Sequence, residues 1–429
     1  MTQSRWHGTL RRFAPALPVV MLLVACGIAS LVLSSCHRFG PDVTVPPEPL
    51  KFEGIPTVRV RTTTRSVNAA ELYTTGGYRI LVDGREVGKS TSRLPRTTCR
   101  RSKERWTLGM LTATGKTLNL IPQPGTLVGY GKKRYRGRLV LHADGPDRFF
   151  VHNHVDMESY LASVVAKELY SDFHPEAYLA QTVAARTYAL YEIATRGQRS
   201  SFDVWDSQRS QVYEGMLAET NRSWTAVRNT HAQVLAFGPP GAERIFLTQF
   251  SACNGGHVNG AQVIRSVKDG EKIPPLLGGQ KDGDGQKCPY YFWSPVRIRK
   301  QDLYRVLSGR YESIRKLGNL ETLRVETRTD YDRPVMLAVV NKASQAVNIR
   351  AEDVRLSLLR SNIRAAKKLY SMNCKIRDLG DLIEFYDGRG FGHGVGLSQW
   401  GAEEKARRGM KSEEILEFYY PGAEIFRAY

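Results

Sequence analysis

The sequence predicts an α+β fold in which a β-rich N-terminal module precedes a mixed α/β core. Three observations carry this prediction. From Thr57 to about His152, short alternating or β-branched segments are separated by turn signals. Near Val155 the apolar period lengthens from two residues to 3.6, and two helices follow. Beyond them, short strand and helix signals alternate to the end of the chain without an internal repeat. The 429 residues allow roughly two to three domains on length alone. A hydrophobic content of 41% with 24% charged residues excludes a disordered chain, a collagen and a polytopic membrane protein.

Taken in order, residues 1–36 read as an export signal. Arg5, Arg11 and Arg12 precede an apolar run from Ala14 to Leu33. The run ends in Leu33-Ser34-Ser35-Cys36, which resembles a bacterial lipobox with Cys36 as the acylated residue. An uncleaved signal anchor is the competing reading, since about 20 apolar residues also span a bilayer. Either way the chain is expected to be exported and held at a membrane in the cell envelope. Residues 37–50, with Pro41, Pro46, Pro47 and Pro49, read as a stiff extended linker.

Residues 51–136 form the predicted basic β-rich module. Its strand signals include Thr57–Arg61 and Tyr78–Val82, with Arg138–Leu141 just beyond, and its turns include Gly76-Gly77, Asp83-Gly84 and Pro124-Gly125. The whole chain carries 62 Lys and Arg against 42 Asp and Glu, a net charge of +20. Residues 51–150 hold about twenty of those basic residues and seven acids, so more than half of the excess lies there. Such an excess favours a polyanionic partner: nucleic acid, an anionic membrane surface or an acidic cell-wall polymer. No nucleic-acid motif accompanies it.

Residues 137–429 form the predicted core. Asp156 can cap a helix running to about Tyr170, whose apolar stripe is Met157, Tyr160, Leu161, Val164 and Val165. Glu168 continues that stripe. A carboxylate on the buried side of a helix is costly unless paired or protonated, and burial raises its pKa as a general acid requires. A buried salt-bridge member is the bland alternative. A second helix starts at Pro175 and runs to about Thr195, with Gly197 as its stop. It is dense in alanine (Ala177, Ala180, Ala184, Ala185, Ala189), which would admit a close partner helix. A third helix over about Ser223–Ala232 leads into a hairpin of Gln233–Phe237 and Arg244–Phe250 around Pro239-Pro240-Gly241. Residues 298–370 read as mixed α and β segments. The chain closes with a strand (Leu382–Tyr386), a glycine-rich loop and two short helices, the last from Ser412 to a stop at Pro421-Gly422.

Two further patterns could carry chemistry. In Gly388-Arg-Gly-Phe-Gly-His-Gly-Val-Gly-Leu-Ser-Gln-Trp-Gly-Ala402, alternate glycines leave backbone amides open to a bulky ligand, with His393, Ser398 and Gln399 to grip a sugar. The competing reading is a tight crossing of two chains that demands small residues. A nucleotide site is excluded, because no frame gives G-x-G-x-x-G or GK[ST]. In the second pattern, Cys253, His257 and Cys288 could ligate a structural zinc, with His393 or an open position as the fourth ligand. A Cys253–Cys288 disulfide and two free thiols compete with the metal. Asp282-Gly-Asp284-Gly lacks the glycine and closing acid of a calcium loop and is set aside. Six cysteines in this length are too few for a disulfide-scaffold protein.

Four segments in order resemble the sporulation stage II protein D / LytB family of peptidoglycan-acting proteins. The first is Val164-Val-Ala-Lys-Glu-Leu169 with Pro175-Glu-Ala-Tyr-Leu-Ala-Gln-Thr-Val-Ala-Ala-Arg-Thr-Tyr188. The second is Asp206-Ser-Gln with Gln211-Val-Tyr-Glu-Gly215, and the third is Phe250-Ser-Ala-Cys-Asn-Gly-Gly-His257. The fourth is Gly390 to Ala402. Together they span about residues 137–429, and the basic β module lies outside the resemblance. Lys167-Glu-Leu169 departs from the usual alanine-glutamate-methionine but keeps the acid, and Asn254 is an extra residue in the third block.

The resemblance implies a lytic transglycosylase that cleaves peptide-free glycan strands and leaves 1,6-anhydromuramic ends. Glu168 would be its catalytic acid/base. Gln181, Arg186, Tyr188, Gln211, Tyr213, His393, Ser398 and Gln399 would bind the sugars. One carboxylate suffices for that reaction, and no cofactor is required. The expected partners are glycan strands, a cell-wall amidase and the membrane, and not nucleic acid. The non-catalytic alternative is a glycan-binding lipoprotein that enhances a separate amidase, as LytB-type members do. A zinc hydrolase on Cys253, His257 and Cys288 lacks any HExxH-like motif.

Overall fold

The computed structural model describes residues 52–264 and 273–429. The export signal, the lipobox at Cys36 and most of the proline-rich linker lie outside the described residues. Among the described residues no helix is long and apolar enough to cross a membrane.

The β-rich part contains β1 (Thr57–Arg61), β2 (Ala69–Thr74), β3 (Tyr78–Val82), β4 (Arg85–Ser90), β5 (Thr97–Ser102) and β6 (Arg105–Leu108). It continues with β7 (Leu111–Thr114), β8 (Thr117–Pro122), β9 (Val128–Tyr130), β10 (Lys133–Tyr135), β11 (Arg138–Ala143) and β12 (Phe149–Asp156). Two sheets result. The seven-stranded sheet runs from the short strand Val204–Trp205 through β1, β12, β11, β8 and β3 to β4. The six-stranded sheet runs β10, β9, β2, β5, β6, β7. Period-two alternation turns Val58, Val60, Leu139, Leu141, Val151 and Val155 into the core, where they join Leu72, Cys99 and Trp106 of the smaller sheet. β11 is hydrogen-bonded to both β8 and β12, so the seven-stranded sheet runs without a break across residues 136 and 137.

Eight helices follow among the described residues: α1 (Met157–Glu168), α2 (Pro175–Ala194), α3 (Asn221–Asn229), α4 (Lys300–Ser308), α5 (Glu312–Lys316), α6 (Ala351–Leu359), α7 (Gln399–Arg407) and α8 (Ser412–Tyr419). The α+β architecture read from the sequence is the one observed. β12 passes directly into α1 at Asp156, whose Oδ1 accepts the Ser159 N–H (2.8 Å) as the cap predicts. α1 ends at Glu168 rather than Tyr170, because Leu169 turns extended. Pro175 opens α2, and Ala177, Ala180, Ala184, Ala185 and Ala189 are all buried. α1, α3, α7 and α8 pack around α2. These helices share one hydrophobic core with both sheets. A second core, between Trp293 and Phe385, is built from α4, α5, α6 and the strands Val296–Arg299, Thr322–Arg328, Pro334–Val340, Ala346–Arg350 and Leu382–Tyr386. This is the mixed segment for which the sequence suggested no chemistry.

Candidate active site

Glu168 is the last residue of α1, and its carboxyl meets two other parts of the chain. The Val212 N–H donates to Oε1 (3.2 Å), and Gln399 Nε2 donates to Oε2 (3.3 Å). Gln399 is the first residue of α7, held by the Ser398 hydroxyl, which accepts the Gly401 N–H (3.2 Å). The carboxyl lies deep among protein atoms, while part of the residue opens to solvent. Burial pushes its pKa above the usual glutamate value, and the two hydrogen bonds oppose that only in part. Its place at a helix C-terminus, where the carbonyl ends carry partial negative charge, also disfavours the ionised form. Both donors are uncharged, and no ion pair reaches Glu168 among the described residues. Such a carboxyl suits proton donation.

Beside it stands an aromatic group that the sequence reading missed. Tyr170 packs against Trp400 (ring centroids 5.5 Å apart) and against Phe173 (5.4 Å), and Phe173 meets Trp400 edge-on (5.0 Å). Tyr170 is 39% exposed, so this group can offer an aromatic face to a sugar ring. The signal was available: Tyr170 lies two residues past Glu168, and Trp400 directly follows Gln399.

The structure divides the eight expected sugar-binding residues. Gln399 contacts Glu168, and Tyr188 is buried, its phenol pushed upward chiefly by that burial and by Glu192, with Glu168 the smallest contributor. Arg186 does not line a groove. It is wholly buried, and its Nη2 and Nε donate to Glu158 (2.7 and 3.1 Å), while Nη1 donates to the Gln233 carbonyl (3.0 Å). Gln211 is also buried, accepting from the Tyr160 hydroxyl (3.0 Å) and donating to the Ala185 carbonyl (3.2 Å). Tyr213 donates to Asn153 (2.7 Å) within the Tyr135–Tyr160 aromatic stack. These three hold the site from behind. Ser398 is a helix cap. Gln181 is fully buried, and its amide makes no hydrogen bond. His393 accepts the Val395 N–H on Nδ1 (3.0 Å), and burial lowers its pKa to about 4. Its electrostatic neighbours are Glu352, Arg355 and Arg333, at the second core.

The glycine-rich segment is a chain crossing rather than a ligand cradle. A Cβ on Gly396, which has φ +65°, would stand 2.1 Å from the Gln249 carbonyl oxygen. One on Gly394 would meet Asn259 Nδ2 at 2.2 Å. The crossing chain is the third segment of the family resemblance: Phe250-Ser251 pairs in parallel with Leu397-Ser398, and Cys253 bridges Phe391. Its role is to bring Gln399 to Glu168.

The expected metal triad does not assemble. The Cys253 thiol donates to the Gly285 carbonyl (3.7 Å) and lies beside the Cys288 sulfur, an interaction that draws the Cys288 pKa down and holds that of Cys253 up. Both cysteines are free thiols. His257 is elsewhere, stacked on Tyr331 with ring centroids 4.8 Å apart. Asp282 and Asp284 are bound by protein cations: Lys405 Nζ reaches them at 2.8 and 2.6 Å, and Arg408 also pairs with Asp284. Asn254 has a structural purpose, donating to Asp282 (2.7 Å).

These features define a site with a desolvated carboxyl, Glu168, beside an aromatic shelf. The family model described as Stage II sporulation protein (SpoIID) matches residues 147–237, which contain Glu168 and α2. An uncharacterized protein of Brachyspira hyodysenteriae is 30% identical over 286 residues, 65% of this chain and 69% of that one. Stage II sporulation protein D of Bacillus subtilis is 28% identical over 290 residues, 64% of this chain and 75% of the relative. The Amidase enhancer of Bacillus subtilis is 24% identical over 302 residues, 62% and 40% respectively. The chain belongs to the SpoIID/LytB family.

Proposed function

We propose that the protein is a cell-envelope lytic transglycosylase acting on peptide-free peptidoglycan strands, with Glu168 as its single acid/base. One observation carries this reading: a carboxyl with uncharged donors, its pKa raised by burial, beside the exposed Tyr170 ring. Ordinary glycosidases use two carboxylates, the second as nucleophile or as the base for water. Here the 6-hydroxyl of the muramic residue is the nucleophile. Protonated Glu168 gives its proton to the glycosidic oxygen as the bond to C1 breaks. The 6-hydroxyl oxygen bonds to C1, and the Glu168 carboxylate takes the hydroxyl proton. Atoms and charge balance without water or a cofactor. The donors from Val212 and Gln399 stabilise the transient carboxylate.

The net charge of +20 suits an acidic wall polymer. The export signal with Cys36 would tether the chain to a membrane. A relative named Amidase enhancer supports a second reading, a non-catalytic glycan binder that stimulates an amidase. The test uses the full chain on purified peptide-free strands, with products read by mass spectrometry. Anhydro-ended fragments are expected from the wild type and not from Glu168→Gln. Reducing ends would refute the mechanism, and strands bound but uncut would favour the second reading.

A further inference from the structure

We propose that His142, His152 and His154 form a zinc site on the outer face of the seven-stranded sheet, separate from Glu168. On β12 the odd residues Phe149, Val151 and Val155 enter the core, so the even residues His152 and His154 face the other way. On β11 the same alternation turns Leu139 and Leu141 inward and His142 outward. In the register, Val140 lies opposite His152 and Phe150 opposite His142, which sets the two histidines diagonally across the strands. One ring nitrogen from each of the three histidines lies within 4.8 Å of the others. They are the one such converging group of potential ligands among the described residues.

The second observation is that these rings are under-satisfied. His152 is 0% exposed and its one polar neighbour outside the cluster is the Ser201 backbone, with neither ring nitrogen in a well-formed hydrogen bond, and Nε2 of His142 and of His154 is unpartnered. Buried polar atoms are nearly always satisfied, so a converging set that is not calls for an occupant. Neutral imidazole is a borderline-soft donor that suits zinc better than magnesium or calcium. Modest ring rotations would bring the nitrogens to bonding distance, and the partial exposure of His142 and His154 leaves the fourth position to water.

The positive neighbourhood opposes a cation. Arg59 is held by Asp203 (2.6 Å), Arg61 lies over the Phe150 ring (3.8 Å), and Arg138 stands opposite His154. The coordinate bonds must outweigh that field. A bound ion would staple β11 to β12, the strand that runs straight into α1 and Glu168.

The test equilibrates the full chain, without a histidine tag, with zinc, removes free metal and counts zinc per chain. One zinc is expected in the wild type and in Cys253→Ser, falling to background in His142→Gln and His154→Gln with unchanged circular dichroism. Background metal in the wild type, retention in both histidine variants or loss in Cys253→Ser would overturn the site. If the histidine variants misfold, the cobalt-substituted wild type decides. A nitrogen-ligand spectrum supports the site, and a thiolate charge-transfer band refutes it.

Discussion

Replacing Arg186 by methionine is expected to loosen the fold rather than the grip on a glycan. The guanidinium is fully buried and the Glu158 side chain is 8% exposed, and two hydrogen bonds of 2.7 and 3.1 Å join them. Arg186 further donates to the Gln233 carbonyl, tying α2 to the start of the Gln233–Phe237 strand, while the Tyr429 hydroxyl donates to Glu158. Arg186→Met leaves a buried carboxylate with one neutral donor, a loss of about 3–5 kcal/mol. Typical stabilities are about 5–15 kcal/mol, so the urea midpoint should fall far. Glu158→Gln should lose a similar amount by stranding the guanidinium. The double variant removes both charges, so its loss should be smaller than the sum by more than about 1 kcal/mol. Urea unfolding of the four proteins by tryptophan fluorescence measures the cycle. Unchanged midpoints with weakened glycan binding in Arg186→Met would refute this reasoning and return Arg186 to the groove.

Four further outcomes are open to measurement. Because burial raises the Glu168 pKa in the folded state, the folded protein binds more protons than the unfolded chain between the ordinary glutamate value and the raised one. Stability therefore falls as pH rises through that window, and Glu168→Gln should be more stable than wild type at neutral pH, an advantage that disappears in acid; thermal melts across pH will show whether the slope vanishes. Lys405→Met should cost about 3–5 kcal/mol in urea unfolding, since it strips Asp282 and Asp284 of a cation at 2.8 and 2.6 Å. Gly396→Ala should destabilise by at least about 1–3 kcal/mol, because a left-handed residue would gain a Cβ pressed on a backbone oxygen. Tyr170→Ala should raise KM for glycan several-fold with little change in melting temperature, as expected for loss of a partly exposed stacking face.

The elements governed by local rules were legible. The Asp156 cap, Pro175 at the start of α2 and the strand Leu382–Tyr386 follow from side chains within a few residues of each boundary. Glu168 stood out because it continues an apolar stripe, and the structure gives it the desolvated setting that stripe implies. Arg186, Gln211 and Tyr213 were misplaced for a physical reason. The resemblance places them near the site but does not reveal depth, and polar side chains that brace a site from behind look the same in sequence as those that face ligand. The glycine-rich segment was ambiguous because small residues serve a ligand and a chain crossing equally, and only the partner chain, Gln249 to Asn259, decides. The outward histidines were invisible for a different reason. His142 and His152 come from two strands, and their meeting depends on a register that alternation alone does not set.

Helix α1 carries two glutamates in opposite settings, and the difference bears on the proposed chemistry. Glu158, in the first turn, is matched by a buried guanidinium 2.7 Å away. Glu168, in the last turn, is partly exposed with a desolvated carboxyl and receives only an amide and a backbone N–H. An arginine in the place of Gln399 would hold Glu168 ionised and deprive it of a proton to give. A carboxyl left without donors could not stabilise the anion after the proton leaves. Two neutral donors lie between these extremes. In the proposed mechanism they would allow the same carboxyl to release a proton and then recover one, as a single acid/base must when the substrate supplies its own nucleophile. The chain crossing at Gly394 and Gly396 sets this balance, because it decides which side chain α7 brings to the end of α1.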